Sequence, residues 1–151
     1  MPDPQTSILI DAIQTDASLA ALAQALDAGR RVVATGAVGS STSLVAAALA
    51  ARTKRPVVLI VAHIDDAEEV LEELTAASHA VVRLPALEVL PGETGVSLDL
   101  FAERLGVVRA LLDNSLDSAD PPVIVCPIQG LMQLVPPPSA FPTLVRTLER
   151  G

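Results

Sequence analysis

Short runs that are apolar at almost every position, set apart by stretches with helical spacing, constrain this chain more than anything else in it. Val57-Val58-Leu59-Ile60-Val61, Ala80-Val81-Val82-Arg83-Leu84 and Val123-Ile124-Val125-Cys126 lack the in–out alternation of a half-solvated strand. A strand apolar on both faces must be covered on both, and strands joined through helices run parallel. Arg31-Val32-Val33-Ala34-Thr35 reads as a further, shorter strand ahead of these three. The expected fold class is therefore α/β, a parallel sheet with helices on both faces.

The intervening stretches supply those helices. Asp16 to Gly29 places Leu19, Leu22 and Leu26 at helical spacing, with Thr15 or Asp16 to cap its start. A second helix, from about Thr42 to Arg52, is apolar nearly all round and so calls for burial on several sides. The third follows Asp65, with Ala67, Val70, Leu71, Leu74 and Ala77 as its apolar stripe. A long one spans Leu98 to Leu112, reading Leu98, Phe101, Leu105, Val108 and Leu112 as its inner face. A short helix covers Ile128 to Leu134. Pro85 to Ser97 is a loop, Asp113 to Pro122 a polar linker, and Pro136-Pro137-Pro138 a break.

Half of the 151 residues are hydrophobic, mostly Ala, Val and Leu, enough to build one sizeable core. Eighteen acids against ten bases give a net charge of −8, and Trp and Tyr are absent. Tracking nucleic acid needs clustered cations, and gripping single strands needs exposed aromatics. Little direct nucleic-acid binding is expected of this segment. The single cysteine, Cys126, excludes an internal disulfide and fits a reducing compartment. The first sixteen residues carry no basic n-region or long apolar run, so no signal peptide is read there. No apolar stretch approaches the roughly 20 residues that span a bilayer. The expectation is a cytoplasmic chain without a membrane segment.

Between the first short strand and the all-apolar helix lies Gly36-Ala37-Val38-Gly39-Ser40-Ser41-Thr42-Ser43. A phosphate loop occupies that place and reads G-x-x-x-x-G-K-[ST]: its N–H groups cradle phosphates, its lysine reaches the terminal ones, and its hydroxyl holds magnesium. Aligned on Gly36, the second glycine position is Ser41, the lysine position Thr42 and the hydroxyl position Ser43. The frame and the hydroxyl persist while the cation is gone. Lys54 lies twelve residues beyond Thr42, roughly 18 Å along a helix, and Arg52 and Arg55 share that far end. The domain is thus expected to be RecA-like, of the P-loop NTPase three-layer type and incomplete. Gly36, Gly39, Ser40, Ser41, Thr42 and Ser43 form a degenerate, non-functional phosphate loop, or simply a tight strand-to-helix turn. No catalytic residue, metal or cofactor is expected for this chain.

The remaining polar residues read blandly. Asp65, Asp66, Glu68, Glu69, Glu72 and Glu73 suit a solvated helix face with acids near its N-terminus. Asp65 and Asp66 stand where a magnesium-holding acid could, and capping explains them as well. His63 and His79 have no second ligand at metal spacing. Cys126 reads as a buried strand-end thiol, and Glu103 with Arg104 as polar surface of the long helix.

Several segments, taken in order, resemble the start of the transcription-repair coupling factor family, whose N-terminal region is similar to the excision-repair protein UvrB. They are Thr35-Gly36-Ala37-Val38-Gly39-Ser40, Arg55-Pro56-Val57-Val58-Leu59-Ile60-Val61, Leu84-Pro85-Ala86-Leu87-Glu88-Val89-Leu90-Pro91 and Gly95-Val96-Ser97. Ala102-Glu103-Arg104-Leu105, then Val123 through Gln133, then the proline triplet complete the set. The family often has aromatics near Leu87 and Gly92, which this chain lacks.

Residues 1–15 read as an N-terminal extension, and the resemblance, which runs from about residue 30 to 151, implies 16–138 as a UvrB-like domain and 139–151 as the start of an inserted UvrA-binding domain. It also implies that the chain is a fragment of a longer ATP-dependent DNA translocase. That longer protein would use ATP and magnesium and would meet UvrA, RNA polymerase and DNA. The segment here would be its non-catalytic module, the alternative being a small P-loop NTPase or kinase with an atypical loop.

Overall fold

A computed structural model of the chain describes residues 4–36, 39–88, 95–116 and 120–144. Its helices are α1 (Pro4–Gln14), α2 (Ala17–Asp27), α3 (Ser41–Thr53), α4 (Ile64–Ala76), α5 (Leu98–Leu112), α6 (Ile128–Met132) and α7 (Phe141–Leu144). Its strands are β1 (Val57–Val61), β2 (Val81–Arg83) and β3 (Val123–Pro127), and a 3-10 turn covers Pro138–Ala140.

The strands form one parallel sheet in the order β1-β3-β2. Val123 of the central strand stands opposite Val57 on one side and Val81 on the other. Every residue of β3 is buried, because it has a strand on each side and helices above and below. Val123 and Val125 face α3 and α4, packing with Leu74 and the alanines of α3. Ile124 and Cys126 face the other way, onto Leu84 and onto Val107 of α5. Burying a side chain such as Leu74 completely contributes about 2 kcal/mol. The α/β class and the parallel, helix-covered sheet read from the apolar runs are what the chain forms.

Helix α3 explains its own composition. The sheet lies against one side of it and α1 against another, so Ala47, Ala48 and Ala50 are fully buried. Small side chains let α1 approach closely, and Ile10 of α1 and Leu19 of α2 enter the same core. Helix α2 begins as expected, the Asp16 carboxylate accepting from the Ser18 N–H at 2.7 Å and the Leu19 N–H at 3.3 Å. Those donors, Ser18 first, hold the Asp16 carboxyl below its ordinary range.

Four features depart from the sequence reading. The stretch 1–15, read as an extension, carries α1 at Pro4–Gln14, and Ile10 places that helix in the core. Arg31–Thr35 is not a strand: it is exposed throughout, with Val33 90% accessible. A strand needs a neighbour for its N–H and C=O groups, and no described strand runs beside this one. Helix α5 is rotated from its expected face. Leu98 (83%) and Phe101 point outward, while Arg104 and Val107 are its buried residues. Arg104 is therefore interior rather than polar surface, for a reason its hydrogen bonds supply.

Among the described residues the second face of the sheet is covered over β2 and β3 and left half open over β1, where Val58 and Ile60 are each 47% exposed. Parts of the loop after Pro85 (89–94), of the linker (117–119) and of the resemblance to the inserted domain (145–151) lie outside the described residues.

Candidate functional site

The segment read as a phosphate loop meets the sheet at the carboxyl end of β1, where open α/β sheets place ligands. Gly36 (φ +97°) and Gly39 (φ +58°) both adopt the left-handed backbone that glycine takes freely. Ala37 and Val38, between them, lie outside the described residues. Ser40 precedes α3, and the Thr42 N–H donates to Gly39 O at 3.1 Å, so Ser41, Thr42 and Ser43 form the first helical turn. A helix N-terminus is present at the expected place. The strand that should lead into Gly36 is not.

What faces that helix end is a carboxylate. Ser40 Oγ donates to Glu73 Oε1 at 2.5 Å, and Ser43 Oγ lies 2.6 Å from Glu73 Oε2. The Ser43 hydroxyl is also 2.8 Å from Ser40 O; it has one proton, and the charged oxygen is the stronger acceptor. Ser43 is almost wholly buried, whereas Thr42, at the lysine position, is exposed.

A recess of about 400 Å³ opens here, and its charged lining is Asp66, Glu69 and Glu73. No lysine or arginine is among the described residues that line it. The cations considered for the role sit elsewhere. Arg52 Nη1 donates to Gln14 O at 2.5 Å, Arg55 stands 3.9 Å from Asp27, and Lys54 terminates α3 at its opposite end.

Spacing discloses that the three acids of the recess share a face, though not that the face meets the loop. Asp66, Glu69 and Glu73 are separated by three and four residues and so share one stripe of α4. The solvated-face reading holds for Asp65, Glu68, Glu69 and Glu72, which are exposed, but Asp66 and Glu73 are half-buried. Asp66 turns back on its own helix, accepting from the His63 N–H at 3.0 Å, as a capping acid does.

A second polar constellation lies across the sheet. Arg104 is 2% exposed; its Nη1 donates to Pro85 O at 2.9 Å, and its Nη2 to Gly130 O at 2.7 Å and Gln133 O at 2.9 Å. Gln133 exchanges both amide bonds with Leu87, giving Nε2 to its carbonyl at 2.8 Å and accepting its N–H at 2.7 Å. Arg83 and Glu103 form a two-point ion pair at 2.8 and 2.9 Å. Leu84-Pro85-Ala86-Leu87, Glu103-Arg104 and Gly130 to Gln133 are thus one clamp, although they looked like separate motifs in the sequence.

The isolated candidates are structural. Cys126 is buried, its Sγ donating to Pro127 O at 3.3 Å; burial pushes the thiol up, against the opposing charge of Arg104. Burial lowers the pKa of His79 against the opposing charge of Asp120, while His63 stands at the start of α4. Among the described residues no group of His, Cys, Asp and Glu could hold a metal ion. No described helix is long and apolar enough to cross a membrane.

The class this architecture defines is an α/β domain with a parallel three-stranded sheet and a loop–helix recess at the carboxyl end of an edge strand. Over 105 residues, 68% of its length, the chain is 31% identical to the transcription-repair-coupling factor of Bacillus subtilis (strain 168). It spans 8% of that protein's length. No family model matches the chain, and no solved structure matches it.

Proposed function

We propose that the chain is a non-catalytic module of a transcription-repair coupling factor, acting in DNA repair as a scaffold and not as an ATPase. The similarity to the Bacillus subtilis factor supports the family, and with it a DNA-repair setting. On this reading residues 16–138 are a UvrB-like domain, extended by α1, and 139–151 begin a UvrA-binding insertion. ATP, magnesium, DNA, RNA polymerase and UvrA are then ligands and partners of the longer protein.

The observation that carries the non-catalytic part is the lining of the recess. A nucleotide brings several negative charges, and transferring its terminal phosphate requires cations that neutralise them. Here the hydroxyls of Ser40 and Ser43 meet Glu73, and the lysine position is Thr42. The net charge of −8 argues in the same direction against a nucleic-acid grip by this segment.

Calorimetric titration of the purified chain with magnesium-ATP, together with a phosphate-release assay, tests the reading. The expected result is no heat of binding and no turnover. Binding at micromolar concentrations, or turnover above the rate in buffer, would reject it in favour of a small P-loop NTPase with an atypical loop.

A further inference from the structure

We propose that Glu73 is a resident anion at the start of α3, taking the hydroxyl that a working loop gives to magnesium, so that losing the lysine is only half of why the loop is closed. The inference rests on reading residues 36–43 as a former phosphate loop. A helix N-terminus presents unpaired N–H groups and a partial positive charge, and it favours an anion in front of it. In a working loop that anion is the nucleotide, and the hydroxyl at the Ser43 position goes to magnesium.

In this chain the anion comes from the protein itself. Glu73 sits on α4, thirty residues beyond Ser43, and its two oxygens take the Ser40 and Ser43 hydroxyls, one each. Those bonds join the start of α3 to the last full turn of α4, and all three residues line the recess. Asp66 and Glu69 line the same recess and add charge of the same sign. A phosphate entering would displace the carboxylate from two charge-assisted bonds while lying close to it, and like charges at that range disfavour each other. The carboxylate both shuts the loop and ties two helices together.

The consequence is specific: restoring the lysine does not by itself restore binding. Three forms of the chain are titrated with magnesium-ATP: native, Ser41→Gly with Thr42→Lys, and that pair with Glu73→Gln added. Glutamine keeps the length and one acceptor oxygen but removes the charge. The native chain stays silent, and adding Glu73→Gln tightens binding by about ten-fold or more over the lysine pair alone, the scale of one charge-assisted contact. Equal affinities in the two variants, including silence from both, overturn the proposal. Binding by the native chain instead overturns the non-catalytic reading, so the two failures are distinct.

A thermal-shift measurement on the native chain guards against a variant that does not fold. With inorganic phosphate against chloride at matched ionic strength, a closed loop shows no shift. A rise in melting temperature with phosphate means that the position is open to anions, and the proposal fails.

Discussion

On the β2 side of the central strand a buried guanidinium gathers backbone carbonyls from Pro85, Gly130 and Gln133. On the β1 side a half-buried carboxylate gathers two serine hydroxyls, next to an edge whose Val58 and Ile60 are half exposed. Both devices join distant segments, but the first does so in the interior and the second at the rim of a solvent-lined recess. Local stability follows buried contacts and satisfied backbone groups, so the two flanks should open at different free energies. Segments of the resemblance fall on both flanks, and those on the β2 side, from Leu84 to Leu87 and from Gly130 to Gln133, are the ones the guanidinium draws together. Among the described residues the flank with the loop is the one left half open.

The largest effect should come from Arg104→Met, which keeps the bulk of the side chain and removes every donor. Buried carbonyls left unpaired cost about 1–3 kcal/mol each, so with three of them a total loss of at least about 3 kcal/mol is expected. Urea unfolding followed by circular dichroism measures it. A loss below about 1 kcal/mol would mean that the carbonyls find other donors, and the contrast between the flanks would disappear.

Gly130→Ala should cost less. A Cβ there would stand 3.3 Å from Ala86 N and Leu84 O and 3.4 Å from Cys126 Sγ, two of them backbone atoms of the clamped loop. Overpacking of that kind costs about 1–3 kcal/mol, and alanine returns about 1 kcal/mol in helix propensity. The net expectation is a loss of about 1 kcal/mol, shrinking in an Arg104→Met background, where the loop is free to yield. The same melts, arranged as a double-mutant cycle, give both numbers. Additive losses would show that the clamp does not hold the loop in place.

The smallest effect belongs to the other flank. Ile60→Thr, at a half-exposed edge position, should change stability by no more than about 0.5 kcal/mol. A loss as large as that of Gly130→Ala would mean that the β1 face is covered after all, and the comparison would have to be redrawn.

How much of this was legible depended on how local the governing physics is. The run at Val123–Pro127 became the central strand because burial on both faces writes itself into consecutive residues, whereas Val57–Val61 is similarly apolar but stands at an edge with Val58 and Ile60 half exposed. Ala67, Val70 and Leu74 marked the buried stripe of α4 for the same reason. Arg31–Thr35 failed because pairing, not composition, decides whether a short run becomes a strand, and no described strand lies beside it. Helix α5 misled because apolar spacing names a stripe without saying whether anything faces it. Leu98 and Phe101 satisfy the period and still point outward, while Arg104 is drawn inward by carbonyls contributed from 85, 130 and 133. At the loop, the missing lysine was readable directly from Thr42. The partner that took its place was not, because Glu73 arrives from another helix.

Gln133 carries a further consequence. By giving its amide N–H to the Leu87 carbonyl and its oxygen to the Leu87 N–H, it makes the two bonds that a residue of an adjoining strand would make. Beyond the end of β2 the chain is therefore already zipped by a side chain, and an incoming peptide finds no free rung at Leu87. Nothing similar is described along β1, so lateral growth of this sheet, whether by another segment or by a second molecule, has a built-in direction.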